Sequence, residues 1–170
     1  MRIAVLASGP RVHRGLTLLQ FAVSAAIIAT LGGIFLGVVL YYEELGEKTE
    51  VELTILNIRS GLRYQIAERM FSGRMHELEA LSSVNPVQWL QRPPADYEGE
   101  RYDTDAGAID KGRWYFDIDR KELRYRPRLR SHLSPERDPL RWRVVPIYGP
   151  GNPRTVESLA LIGVEPYRWF

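Results

Sequence analysis

Three aspartates set close together around Gly107, namely Asp103, Asp105 and Asp110, could present several hard oxygen donors to one ion. Carboxylates spaced this way in a short loop suit a calcium ion. The ligand order of a helix–loop–helix calcium site is incomplete, however, and Asp- and Gly-rich loops also form by their own turn chemistry with no ion. Calcium is therefore the one cofactor with a candidate loop, and the expected cofactor list is otherwise empty. A second group is cationic. Seven arginines (Arg124, Arg126, Arg128, Arg130, Arg137, Arg141 and Arg143) follow Arg120, with Tyr125 and Trp142 interleaved. Arginine with aromatics suits a nucleic-acid backbone, but on alternating strands the same residues form a solvated face cross-paired with Asp and Glu. The second reading is the one expected, and nucleic acid is not an expected partner. His13, His76 and His132 have no motif around them and are read as solvated. No H-E-x-x-H, phosphate-cradling glycine loop, G-x-S-x-G or dinucleotide fingerprint occurs. The absence of cysteine removes thiolate nucleophiles, disulfides and Cys-ligated zinc. No residue is nominated as catalytic, and an enzyme is not expected.

The elements that must carry these residues begin with a charge split. Leu16 to Tyr42, 27 residues, contains no Asp, Glu, Lys, Arg or His. All 21 acidic residues lie beyond Tyr42, whereas only Arg2, Arg11 and Arg14 of the 23 basic residues precede Leu16, which leaves 23 − 3 = 20 basic groups on the far side. The near-neutral balance there explains why a pI of about 9.0 says little about nucleic acid. As a helix the uncharged run is roughly 40 Å long, enough for the ~30 Å hydrocarbon layer of a bilayer. A cleaved secretory signal would have an apolar region of about 7–15 residues ending in a small-x-small pair. This run is longer and ends VVLYYEE, so a retained transmembrane helix over 16–42 is expected. Arg11 and Arg14 before it place the N-terminus in the cytoplasm. Gly33-x-x-x-Gly37 gives the helix a small-residue face on which another helix can close in. Gln20 is a polar amide about one turn inside the run. It either needs a partner or is wetted by headgroups.

Read together, Arg14-Gly15-Leu16-Thr17-Leu18-Leu19-Gln20 resembles the processing motif of type IV pilins and type II secretion pseudopilins. The resemblance covers seven residues in detail and, through the long helix that follows, the architecture of most of the chain. It implies a leader, residues 1–15, cut off after Gly15 by a prepilin peptidase, with Leu16 becoming the methylated N-terminus. It implies assembly into a filament through Leu16, Thr17, Gln20, Gly33 and Gly37. Other pilin or pseudopilin subunits, an inner-membrane assembly platform and membrane lipid would be the partners. The head would lie in the periplasm, or in a pilus or pseudopilus. Leu16 replaces the usual Phe. Gln20 stands where the family has Glu, whose charge is thought to neutralise a neighbour's terminal ammonium. An amide accepts a hydrogen bond but cannot balance that charge. The substitution implies either a minor subunit at a filament tip or simple tolerance. The alternative is an unprocessed bitopic inner-membrane protein with a periplasmic binding head.

Beyond Tyr42 the apolar residues Val51, Ile55, Ile58, Leu62, Ile66, Met70, Leu78 and Leu81 recur at mostly helical spacing, with charged residues, Glu47 among them, between. This predicts an amphipathic helix over 43–84, stopped by Asn85-Pro86. Gly46, Gly61 and Gly73 weaken it. Residues 85–111 read as a connecting loop, and strands are expected at 113–118, 123–128, 141–147 and about 158–167, with Trp114, Phe116 and Ile118 facing inward. The expected fold is α+β: a long N-terminal helix, transmembrane in its first half, packed on the antiparallel β-sheet of a head over 85–170.

Overall fold

A computed structural model describes residues 17–102, 108–149 and 152–170, with only the backbone over 152–155. The chain divides into two compact units, Met1–Tyr41 and Tyr42–Phe170. In the described part of the first unit the chain is helical from Leu18, and its large apolar side chains (Leu19, Phe21, Ile28, Phe35) are exposed. An 18-residue window of this helix has a mean hydropathy of 2.4 and is 0% buried. It is one helix long and apolar enough to cross a membrane.

The helix, α1, spans Leu18–Phe71. In the second unit its buried residues are Glu44, Glu47, Val51, Ile55, Ile58 and Leu62, steps of three and four that place them on one face. The predicted run to residue 84 is corrected. Gly73 adopts φ +69°, Gly73 N–H donates to the Met70 carbonyl (3.2 Å) and Arg74 N–H to the Arg69 carbonyl (2.8 Å). This glycine-terminated double bond satisfies carbonyls that a helix end orphans. Gly73 is thus a stop and not a weak point, and Met70 is exposed. A short 3-10 turn (Met75–Glu77) and a second helix, α2 (Leu78–Leu81), return Leu78 and Leu81 to the core. Asn85 caps the next 3-10 turn, Pro86–Trp89, by accepting from Val87 N–H at 3.0 Å.

The sheet comprises β1 (Tyr97–Arg101), β2 (Arg113–Asp117), β3 (Glu122–Arg126), β5 (Leu140–Gly149) and β6 (Asn152–Gly163), in the order β1-β2-β3-β5-β6. Two short strands, β4 (Leu133–Ser134) and β7 (Arg168–Trp169), pair separately. All pairings are antiparallel except β1 with β2, which is parallel. β1 lies inside the segment read as a connecting loop, so the sheet is mixed, mostly antiparallel. Its core face carries Trp114, Phe116, Leu123, Tyr125, Trp142, Val144, Leu159 and Leu161, with Trp114 ring centroids 4.7 Å from Tyr125 and 5.4 Å from Trp142.

The other face carries the expected Arg–carboxylate pairs and is exposed at Arg143 and Ile162, but its centre is buried, contrary to expectation. Tyr115, Asp117, Glu122 and Arg124 are all buried there. Asp117 and Glu122 stand directly opposite each other across β2 and β3. Arg124 lies between them, at 2.9 Å from Asp117 and 3.1 Å from Glu122, and neutralises what would otherwise be two buried like charges. Arg143 also pairs with Glu122, and Arg141 with Glu165.

Candidate assembly helix and its attachment to the head

Of the residues the processing motif implicates, Gly15 and Leu16 lie outside the described residues, as do Asp103 and Asp105 of the calcium loop. Asp110 is exposed, and no cluster of metal-ligating side chains occurs among the described residues. Thr17 and Gln20 are described and bond to each other. Gln20 N–H donates to Thr17 Oγ1 at 3.3 Å, and Thr17 N–H donates to Gln20 Oε1 at 3.0 Å. This reciprocal pair is a capping box. It satisfies two N–H groups that the start of a helix would leave bare. The T-x-x-Q spacing carries that signature in the sequence, where Gln20 was weighed only as a substituted acid or a wetted amide. An apolar surrounding raises the value of the bond, since an unmet N–H in hydrocarbon is costly.

Gly33 and Gly37 have no atom within 4 Å of the position a Cβ would take, and neither have Gly32 and Gly46. The small-residue face is therefore bare. In the second unit, Tyr42, Leu53, Leu56 and Tyr64 are exposed. At 100° per residue they fall on the side of α1 opposite Glu44–Leu62. The helix thus has a second, outward apolar stripe that the sequence reading did not identify.

Beyond the apolar stripe Val51–Leu62, two carboxylates attach the start of this part of α1 to the head. Glu44 is only 1% exposed. It accepts from His132 N–H (2.9 Å), Trp169 Nε1 (3.0 Å) and the His132 ring, whose Nδ1 lies 2.9 Å away. Burial alone would raise the Glu44 pKa. The His132 and Trp169 hydrogen bonds outweigh it and hold the carboxyl below its ordinary value. Glu47, one turn on, accepts from Tyr125 Oη (2.7 Å), Arg128 N–H (2.6 Å) and Leu129 N–H (3.1 Å). Burial, and then the bond to Glu47, push the Tyr125 phenol well up. Two expectations are corrected here: His132 is a partner of Glu44 and not a solvated loop residue, and Glu47 belongs to the buried stripe. His76 is largely exposed, and His13 lies outside the described residues. Higher on the helix, a Cβ at Gly61 would meet the Trp89 carbonyl oxygen at 2.9 Å, so a glycine is what lets this turn pack against α1.

The arginine group is spent inside the head. Arg126 and Arg130 pair with Asp138, Arg128 with Asp96, and Arg137 with Glu165. Together with the Arg124, Arg141 and Arg143 pairs, each of the seven has a carboxylate partner.

A scan against protein-family models and searches of curated proteins and of solved structures find no match to this chain.

Proposed function

We propose that this chain is a minor pilin-like or pseudopilin-like subunit, cut after Gly15 by a prepilin peptidase and assembled through its apolar helix into a pilus or secretion filament. The observation that carries the reading is continuity. The uncharged run, which begins within the Gly15-Leu16-Thr17-Leu18-Leu19-Gln20 motif, passes without a break into the helix that forms the spine of an α+β head. The bare Gly33 and Gly37 and the outward stripe of Leu53, Leu56 and Tyr64 support helix-to-helix assembly, because each is small or apolar surface left uncovered among the described residues. Before assembly the helix spans the inner membrane, and the head stands on the periplasmic side, on an assembly platform. The deciding experiment is N-terminal sequencing and intact mass of the protein purified from membranes of a cell that has a prepilin peptidase. A start at methylated Leu16, abolished by Gly15→Val, is expected. A chain that still carries residues 1–15 refutes the proposal.

One observation favours the alternative, an unprocessed bitopic protein with a binding head. The capping box gives Gln20 a partner within its own chain, so its presence needs no neighbouring subunit. In that reading the ligand would enter the open groove of about 400 Å³ between α1 at Thr54, Asn57 and Gly61 and the segment Trp89–Pro94.

A further inference from the structure

Glu44 and Glu47 stand two and five positions beyond Tyr42, where the uncharged run stops. Along the helix these are about 3 and 8 Å. The headgroup region on one side of a bilayer is itself about 5–8 Å deep. Whatever hydrogen-bonds to these two carboxylates is therefore held within reach of the headgroups, and a contact there would draw it to their depth. The groups so held are the backbone of Arg128 and Leu129 on Glu47, and His132 and Trp169 on Glu44.

Two arginines there can reach out. Arg168, next to Trp169, is exposed and makes no ion pair among the described residues. Arg128 has a side chain 59% exposed and a single carboxylate partner, Asp96 at 3.1 Å. Arginine forks match phosphate oxygens, and their long stems let the charge reach the headgroup plane, so that these contacts hold the loop down. We propose that the base of the head, residues 128–132 and 168–169, is a lipid-contact surface on which Arg168 and Arg128 bind phospholipid phosphates. The inference rests on the membrane-spanning reading above. Exposed Glu43 and Glu50 on the same stretch of helix keep this from being a polybasic patch. The contact is with individual phosphates and not with net surface charge, and Arg128 exchanges Asp96 for lipid.

The chain has no cysteine, so single reporters can be placed in it. Ser131→Cys lies in the proposed contact loop, and Ser72→Cys follows the last residue of α1; both positions are exposed. The full chain, spin-labelled at one or the other, is put into nanodiscs that contain a nickel-chelating lipid. Relaxation by headgroup nickel is expected to be several-fold stronger at position 131 than at 72, and to fall toward the Ser72 level in the Arg128→Gln/Arg168→Gln double variant. Near-UV circular dichroism checks that this variant keeps its fold. Equal relaxation at the two positions overturns the proposal, as does strong relaxation at 131 that the double variant leaves unchanged. Alkaline carbonate extraction of the unlabelled chain from native membranes separates the two levels. A retained chain with equal relaxation sinks only the lipid contact, whereas a chain released by carbonate sinks the membrane reading as well.

Discussion

The Glu44 attachment predicts a large and specific loss of stability. Glu44→Ala removes the acceptor for three donors. The His132 ring is partly exposed and regains water, but the His132 backbone N–H and the Trp169 indole N–H are left inside. Each stranded buried donor costs about 1–3 kcal/mol, so the expected loss is about 2–6 kcal/mol, centred near 4. Glu44→Gln keeps one oxygen but turns an amide NH2 toward the same donors, and about half the loss is expected. The assay is urea unfolding of the full chain in detergent micelles, followed by tryptophan fluorescence. At a slope of about 2 kcal/mol per molar, the Ala variant should lower the midpoint by about 2 M. The pH dependence has a definite sign. The folded Glu44 carboxyl lies below its ordinary value of 4.5, so its contribution is present above that value and is lost as the pH falls through the folded one. Glu44→Gln should flatten the acid limb of the stability profile below about pH 4.5. A midpoint that Glu44→Ala leaves within about 1 kcal/mol of the parent would refute the reasoning, because the donors would then have found other partners.

Other perturbations give contrasting outcomes. Gly61→Ala should destabilise, by about 1 kcal/mol or more, since the strain of a Cβ at 2.9 Å from the Trp89 carbonyl outweighs the gain in helix propensity. Gly46→Ala, with open space at its Cβ, should stabilise by up to about 1 kcal/mol in the same melts. Tyr125→Phe removes the hydroxyl that donates to Glu47 but leaves the Arg128 and Leu129 N–H bonds, so a loss of only about 1 kcal/mol is expected.

How much of this was legible depends on which signal each element used. The uncharged run, the Val51–Leu62 stripe and the strands around Trp114, Tyr125 and Trp142 follow from periodicity, and they fix the α+β class. Glu44 and Glu47 were hidden because charge ordinarily marks the wet face of a helix. Their placement inside depends on donors 78 to 125 positions away, which no local pattern can report. The buried centre of the sheet's outer face escaped for the same reason: Asp117, Glu122 and Arg124 look solvated one by one and are stable inside only as a set. Gly73 was legible in type but misjudged in role, since glycine weakens a helix interior and ends a helix with equal ease. β1 pairs in parallel with β2 through an intervening stretch rich in turn residues, which disguised it as a loop. The candidate assembly surface was readable at Gly33 and Gly37, while the capping box at Thr17 and Gln20 was present as a four-residue signature and passed over.

The bond between Glu44 and Trp169 joins residues 125 positions apart, and this sets an order of events during synthesis. Glu44 is among the first residues of the head to be made, and Trp169 among the last. Until residues 125–132 emerge, the two helix carboxylates have only water as a partner, and Glu44 lacks its last donor until Trp169 follows. Closure of contacts this distant in sequence is slow. The apolar run of α1 is therefore complete well before the head is sealed, and the Glu44 end of the core is the part of a nascent head exposed longest.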